Sequence, residues 1–173
     1  HGVDDQLKVG RGQHGHLVRA MRNGHAEDGL IVGGETLRFL GVDENAGAGI
    51  DVVFSSVTYT LSANVENLTM HSGFGGSLIV SAVGNDLDNV ITGNQYSNEL
   101  IGLGGNDTLD AGVHQGAFAG IDRLMGGTGN DTYLVVNTRS IVMELPGEGM
   151  DVVHTTASYA LAPDVENLFL KNA

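Results

Sequence analysis

The sequence has no cysteine, no tryptophan and only 2 prolines among its 173 residues. Without cysteine the chain forms no disulfide, thiolate zinc site or cysteine nucleophile. Aromatic residues make up 5% of the chain, so bulky side chains cannot fill a thick core. No apolar run reaches the roughly 18 residues that a membrane-spanning helix requires. We therefore expect no membrane span in this sequence. The start HGVDDQLKVG lacks the charged and apolar segments of a signal peptide, so we expect any export signal outside this sequence.

Basic residues are scarce, and their distribution is uneven. Residues 1–38 hold five bases and five acids, so the other residues hold 3 bases and 16 acids and account for the whole net charge of −13. Such an acidic surface repels nucleic acid and attracts cations. We therefore expect no nucleic-acid partner and look for a cation site.

Glycine is abundant, with 27 residues, about twice its usual share of roughly 7%. Short aliphatic runs separate the glycine-rich stretches, a pattern typical of short strands between turns. The sequence also repeats itself over a long interval. The blocks 47–70 and 147–170 are identical at 11 of 24 positions, including Asp51 and Asp151.

A second, shorter repeat of nine residues lies between these blocks. Its units cover 84–92, 93–101, 102–110, a distorted unit at 111–125, and 126–134. The distorted unit carries six extra residues, which we place within 113–119. Each unit begins with a turn of six residues and ends with a strand of three, and the middle strand residue should point into the core. The predicted core residues are Ile91, Leu100, Leu109, Leu124 and Tyr133, whereas Val90 should be exposed or at the margin of the core.

Two of these units make one coil of the chain, so each unit stacks on its second neighbour. The sixth residues of the units then fall into two columns. Asn89, Asp107, Asp131 and Asp151 should share one edge, and Asn98 and Asp122 the other. Stacked carboxylates and turn carbonyls supply the six to eight oxygen ligands that calcium requires.

The unit GGTGNDTYL at 126–134 matches the nine-residue pattern GGxGxDxUx at every defined position. In this, the sequence resembles the RTX, or hemolysin-type, calcium-binding repeats of exported bacterial proteins. The resemblance implies an all-β fold, a right-handed parallel β-roll or β-helix solenoid. We assign residues 46–173 to a calcium-binding β-roll and residues 1–45 to an N-terminal cap or degenerate coil. Within this cap we expect one or two helical turns over 17–22.

The resemblance also implies that carbonyls of the first four turn residues complete each calcium site. We expect full Ca²⁺ sites between Asp107 and Asp131 and between Asp131 and Asp151, and weaker or absent sites at Asn89 and Asn98. The predicted metal ligands are Gly102, Gly104, Gly105, Asp107, Gly126, Gly127, Thr128, Gly129, Asp131, Gly147, Gly149, Asp151 and Asp122. An isolated acid such as Asp86 is better explained as an ordinary turn residue.

No HExxH or GxSxG motif is present, and we expect no catalytic site. The resemblance implies a secreted module that folds on calcium binding after type I export and stabilises a larger protein. Its partners would be calcium ions and, through sequence outside this chain, the type I secretion machinery. Two alternatives stay open. One is an adhesive or carbohydrate-binding solenoid, and the other is part of a β-helix polysaccharide lyase or epimerase.

Overall fold

The computed structural model describes residues 18–22, 25–27, 50–72, 79–113 and 120–171. These residues form 14 strands and no helix, and so include no helical segment suited to crossing a membrane. The strands are β1 (Val18–Arg22), β2 (His25–Glu27), β3 (Asp51–Ser55), β4 (Tyr59–Thr60), β5 (Asn67–Met70), β6 (Val80–Val83), β7 (Val90–Thr92), β8 (Asn98–Gly104), β9 (Thr108–Asp110), β10 (Arg123–Thr128), β11 (Thr132–Val135), β12 (Ile141–Val142), β13 (Val152–Thr155) and β14 (Asn167–Leu170).

The strands lie in two sheets. The larger sheet has the order β14-β13-β11-β9-β7-β5-β3-β1-β2, and the smaller has the order β12-β10-β8-β6-β4. From β3 onward all neighbouring strands are parallel. The chain therefore winds between the sheets as a parallel β-solenoid, and this confirms the predicted β-roll or β-helix class.

The core is a thin layer of aliphatic side chains between the two sheets. Strand residues alternate between buried and more exposed positions, as in β11, because successive side chains point to opposite faces of a strand. The five predicted core residues are all 0% exposed, whereas Val90 is 44% exposed. The period of nine therefore identified correctly which side chains point inward.

The register of the larger sheet follows the predicted coil lengths. Val90 pairs with Thr108, which lies one coil of two units later. Thr108 pairs with Thr132. The distance between them along the chain is one coil plus the six residues of the predicted insertion. That insertion, placed within 113–119, falls mostly outside the described residues. Thr132 pairs in turn with Val152, so Asp151 returns to the same edge.

The helical turns expected over 17–22 are wrong, because Val18–Arg22 is a strand. It pairs antiparallel with β3 on one side and with β2 on the other. Backbone groups on the edge of β3 need hydrogen-bond partners, and an added strand supplies them where an isolated helical turn does not. The domain boundary at residue 45 stays a prediction.

Candidate metal centre

The predicted column of sixth residues lies along one edge of the larger sheet. The backbone N–H of Asn89 donates to Asp107 Oδ1 at 2.7 Å. In the same way, the N–H of Asp107 donates to Asp131 Oδ1 at 2.7 Å, and the N–H of Asp131 donates to Asp151 Oδ1 at 2.8 Å. Each carboxylate is thus held by a backbone N–H of the preceding coil. Each of these aspartates lies one residue before the start of a strand.

The second carboxylate oxygen in this column has no such partner. Asp107, Asp131 and Asp151 are at most 1% exposed, and their Oδ2 atoms have no hydrogen-bond partner among the described residues. A buried charged oxygen without a partner is unfavourable unless a proton or a cation accompanies it. The described protein atoms therefore leave one oxygen of each of these three carboxylates without a partner.

The same environment raises the pKa values of these carboxyl groups. Burial raises the pKa of Asp107 from 3.8 to about 7, against the lowering effect of the Asn89 N–H, and the negative charge of Asp131 raises it further. Burial likewise raises the pKa of Asp131 to about 6, helped by the charge of Asp151. The pKa of Asp151 is also raised, mainly by burial. A cation would favour the ionised forms and reverse these shifts.

Glycine at the first turn position leaves room beside Asp107 and beside Asp131. A Cβ at Gly102 would overlap Asp107 Oδ2, and a Cβ at Gly126 would overlap Asp131 Oδ2. Successive turns also stack closely, since a Cβ at Gly129 would overlap the carbonyl oxygen of Gly105. Carboxylate and carbonyl oxygens thus converge at one edge, and this donor set fits calcium.

Part of the chain matches a known protein-family model. Residues 83–113 and 117–132 match four copies of the RTX calcium-binding nonapeptide repeat. These segments are RTX calcium-binding repeats. No curated protein and no solved structure matches the chain significantly. The RTX repeats thus coincide with the part of the β-roll that carries Asp107 and Asp131.

The first two RTX turns end in asparagine and are satisfied without a cation. Asn89 Oδ1 accepts the N–H of Asn85 at 2.8 Å, and Asn89 Nδ2 donates to the carbonyl of Glu66 at 3.1 Å. Asn98 Oδ1 accepts the N–H of Asn94 at 3.2 Å, and its Nδ2 donates to the Asn94 carbonyl. The oxygen of each amide accepts a backbone N–H of its own turn, and the NH₂ group donates to a backbone carbonyl.

Asp122, on the other edge, has a different environment from the aspartates of the column. Its Oδ1 accepts the backbone N–H of Asn98 at 2.9 Å, and its Oδ2 accepts the hydroxyl of Ser140 at 3.0 Å. Both oxygens are therefore used by the protein itself. The predicted role of Asp122 as a calcium ligand gains no support from this geometry.

The predicted glycine and threonine ligands lie in the turns that stack beside the column. Thr128 accepts the N–H of Gly105 through its carbonyl at 3.0 Å, and Gly127 pairs with Leu103 in the smaller sheet. A Cβ at Gly149 would overlap the carbonyl oxygen of Gly129, so the last turn continues the stack. Their part in ligation stays a prediction.

Sequence reasoning missed one residue of the site, Glu144. Ligand oxygens of Asp131, Glu144 and Asp151 lie within 4.8 Å of one another. Burial raises the pKa of Glu144 from 4.5 to about 8, and the charges of Asp151, Asp131 and Glu148 raise it further. Glu144 was missed because it is not a sixth residue. Its position one full coil after Gly126 was the available signal.

The two VENL segments contribute to the same edge. Glu166 Oε2 accepts the N–H of Asp151 at 2.7 Å, and Glu66 Oε2 accepts the N–H of Asp51 at 2.9 Å. Asn67 Nδ2 donates to the carbonyl of Asp51 at 3.2 Å. These contacts give the repeated Glu-Asn pair a structural role, in which a glutamate continues the column of carboxylates.

Proposed function

We propose that this chain is a calcium-dependent folding module of a secreted bacterial protein. The observation that carries the proposal is the column of buried carboxylates at Asp107, Asp131 and Asp151, whose Oδ2 atoms lack hydrogen-bond partners among the described residues. The column lies within and directly after the RTX calcium-binding repeats. In this proposal calcium binds there, and the chain itself is not an enzyme.

The electrostatics of the column explain why calcium would control folding. Two unit charges 5 Å apart repel by roughly 0.8 kcal/mol in bulk water and by roughly 3 kcal/mol at an effective dielectric of 20. In the unfolded chain these carboxylates are separated and hydrated, so without a cation the column opposes folding. Calcium binds the folded column and not the unfolded chain, so its binding free energy becomes folding free energy.

This coupling suits a protein that is exported before it folds. At low intracellular calcium the module would stay unfolded for passage through a type I secretion machinery, and it would fold where calcium is abundant. Once folded, it would stabilise the larger exported protein that contains it. Two observations support this proposal of export before folding: the acidic composition, with a net charge of −13, and the RTX repeats.

The adhesive alternative would gain support from an outward ladder of one residue type. One outward row of the larger sheet instead runs Asn67, Val90, Thr108, Thr132, Val152. This row is mixed, and it does not favour the alternative.

The test is far-UV circular dichroism of the full chain in chelator, in millimolar calcium and in millimolar magnesium. We expect a largely disordered spectrum in chelator and a β spectrum in calcium. Magnesium should substitute poorly because it requires a smaller octahedral shell. A β spectrum of equal strength and thermal stability in chelator would overturn the proposal.

A further inference from the structure

The last turn of the acidic edge departs from the repeat pattern at its first position. Leu100 pairs with Leu124, and Leu124 pairs with Val142, so the residues two positions later on the three coils are Gly102, Gly126 and Glu144. At the two glycines an added side chain would overlap the carboxylate of the sixth residue. A side chain at this position therefore points into the column.

The last turn has room for such a side chain because it is longer. Six residues run from Gly126 to Asp131, whereas eight run from Glu144 to Asp151, with Leu145 and Pro146 among them. Glu144 uses this room, since it is 9% exposed and neither of its carboxylate oxygens has a hydrogen-bond partner among the described residues. The glutamate is thus buried beside the column, and its contact with the Glu148 side chain raises its pKa and does not stabilise its charge.

Three carboxylates meet at this point. Oxygens of Asp131, Glu144 and Asp151 lie within 4.8 Å of one another, and the Oδ2 atoms of Asp131 and Asp151 are themselves buried without a partner among the described residues. Two turns of the ordinary repeat bring only two carboxylates together, as at Asp107 and Asp131. The last turn adds one more negative oxygen donor.

We propose that Asp131, Glu144 and Asp151 form a distinct three-carboxylate cation site, which binds one calcium ion more tightly than the two-carboxylate site between Asp107 and Asp131. Asp131 lies within the matched repeats, which end at residue 132, whereas Glu144 and Asp151 lie beyond them. The site thus joins the repeats to the second long block, 147–170. The inference rests on the proposed calcium-dependent function. It adds that Glu144 is a ligand and that this site fills first.

The test compares calcium binding by the full-length chain and its variants in isothermal titration calorimetry. We expect Glu144→Gln to weaken the tightest class of sites at least tenfold, because it removes one negative ligand while keeping the side-chain volume. Glu144→Gly restores the residue found at 102 and 126 and should weaken this class similarly. Asp107→Asn should keep the tightest class and lose a weaker one.

Terbium provides a local readout. The chain has no tryptophan and 4 tyrosines, and Tyr133 accepts the N–H of Gly126 through its hydroxyl at 2.7 Å. Because Tyr133 lies beside Asp131, which both expected sites share, its excitation should sensitise terbium emission from either site. The emission therefore reports the tighter site at low terbium: half-maximal emission should require more terbium in Glu144→Gln and should change little in Asp107→Asn.

The matched control is Glu148→Gln. Glu148 lies nearby, but its Oε2 already accepts the N–H of Leu145 at 2.8 Å, and it is outside the three-carboxylate group. The inference is overturned if Glu144→Gln binds calcium within twofold of the unchanged chain, or if Glu148→Gln loses as much affinity as Glu144→Gln. In either case calcium-dependent folding would persist and the proposed function would stand. Absence of calcium binding by the unchanged chain would overturn both.

Discussion

The RTX turns at 84–89 and 93–98 differ from those at 102–107 and 126–131 in one respect that decides their chemistry. All four have the same length and stack in the same solenoid. The first two end in asparagine, whose side-chain amide is satisfied by neighbouring backbone groups. The last two end in aspartate, whose Oδ2 atom is buried without a partner among the described residues.

The comparison shows that an amide NH₂ group can donate to the carbonyl oxygens that surround it at the end of such a turn. In the asparagine turns Nδ2 donates to carbonyl oxygens, for example those of Glu66 and Asn94. In the aspartate turns a cation would have to collect the equivalent oxygens. One atom of difference in the side chain therefore separates a turn whose polar atoms are satisfied from one that leaves a buried carboxylate oxygen without a partner among the described residues.

The largest effect should come from converting one aspartate turn. Asp131→Asn keeps an oxygen for the N–H of Asp107 but removes a charge shared by two expected sites. A site occupied at one hundred times its Kd contributes about 2.7 kcal/mol, so the stability added by calcium should fall by roughly 5 kcal/mol for two such sites. In chelator the folded fraction should rise, because one charge of the column is removed. Circular dichroism measures this fraction, and urea unfolding at several calcium concentrations above the folding midpoint measures the calcium increment.

Two variants serve as controls for Asp131→Asn. Asp122→Asn lies on the other edge, where both carboxylate oxygens accept protein hydrogen bonds, and it should leave the calcium increment almost intact. Asp86→Ala removes an exposed carboxylate and should change stability by less than about 0.5 kcal/mol. An equal loss of the calcium increment in Asp122→Asn would contradict the assignment of the sites to one edge.

The reverse exchange, Asn98→Asp, tests whether this side chain alone sets the metal requirement. The substitution removes donors to the Asn94 carbonyl and to Asp122 Oδ1, and it places a second carboxylate beside Asp122. Near the calcium midpoint of the unchanged chain, we expect the fold to lose about 1–3 kcal/mol for the unsatisfied buried groups. Saturating calcium should recover part of this loss. No recovery in titrations up to millimolar calcium would show that the glycines of the aspartate turns are also required.

The pH dependence of stability should differ with and without calcium. In the folded chain without calcium the pKa values of Asp107, Asp131 and Glu144 are about 7, 6 and 8, raised mainly by burial. Folding therefore takes up protons between about pH 4 and pH 8, and the free energy of unfolding should fall as pH rises through that window. Saturating calcium favours the ionised forms and should abolish or reverse this slope.

Circular dichroism in calcium-free buffer at pH 5, 6.5 and 8 checks the sign, because the folded fraction should fall as pH rises, and Asp107→Asn is the control that should flatten this slope. Stability that rises with pH in calcium-free buffer would contradict the expected proton uptake.

The smallest effect concerns backbone strain in an aspartate turn. Leu103 has a φ of 86° and takes the place that Gly127, with φ 94°, has on the next coil. Because side chains are disfavoured at positive φ, Leu103→Gly should stabilise the module by about 1 kcal/mol. Leu87→Gly, at an exposed residue without positive φ, should instead destabilise it. Thermal unfolding in calcium compares the two.

The sequence predicted the solenoid, its register and its core because all three follow from a period. Once a unit of nine residues is recognised, the residue at its strand centre must face inward, and Leu100 and Tyr133 do so. The helical turns over 17–22 were predicted wrongly because helix propensity is local, whereas the pairing of Val18–Arg22 depends on the edge of β3.

The sequence by itself determined which residues form the column and whether each turn contributes an asparagine or an aspartate. Both follow directly from the spacing and identity of the residues. Only the tertiary structure decided which oxygens lack partners. Asp107 and Asp122 look alike in sequence, but Ser140 from the next coil satisfies Asp122, whereas Asp107 Oδ2 has no partner among the described residues. Glu144 joins the site because a longer turn lets its side chain enter the column. Hydrogen bonding and burial depend on atoms brought together from distant coils, and a repeat pattern does not specify them.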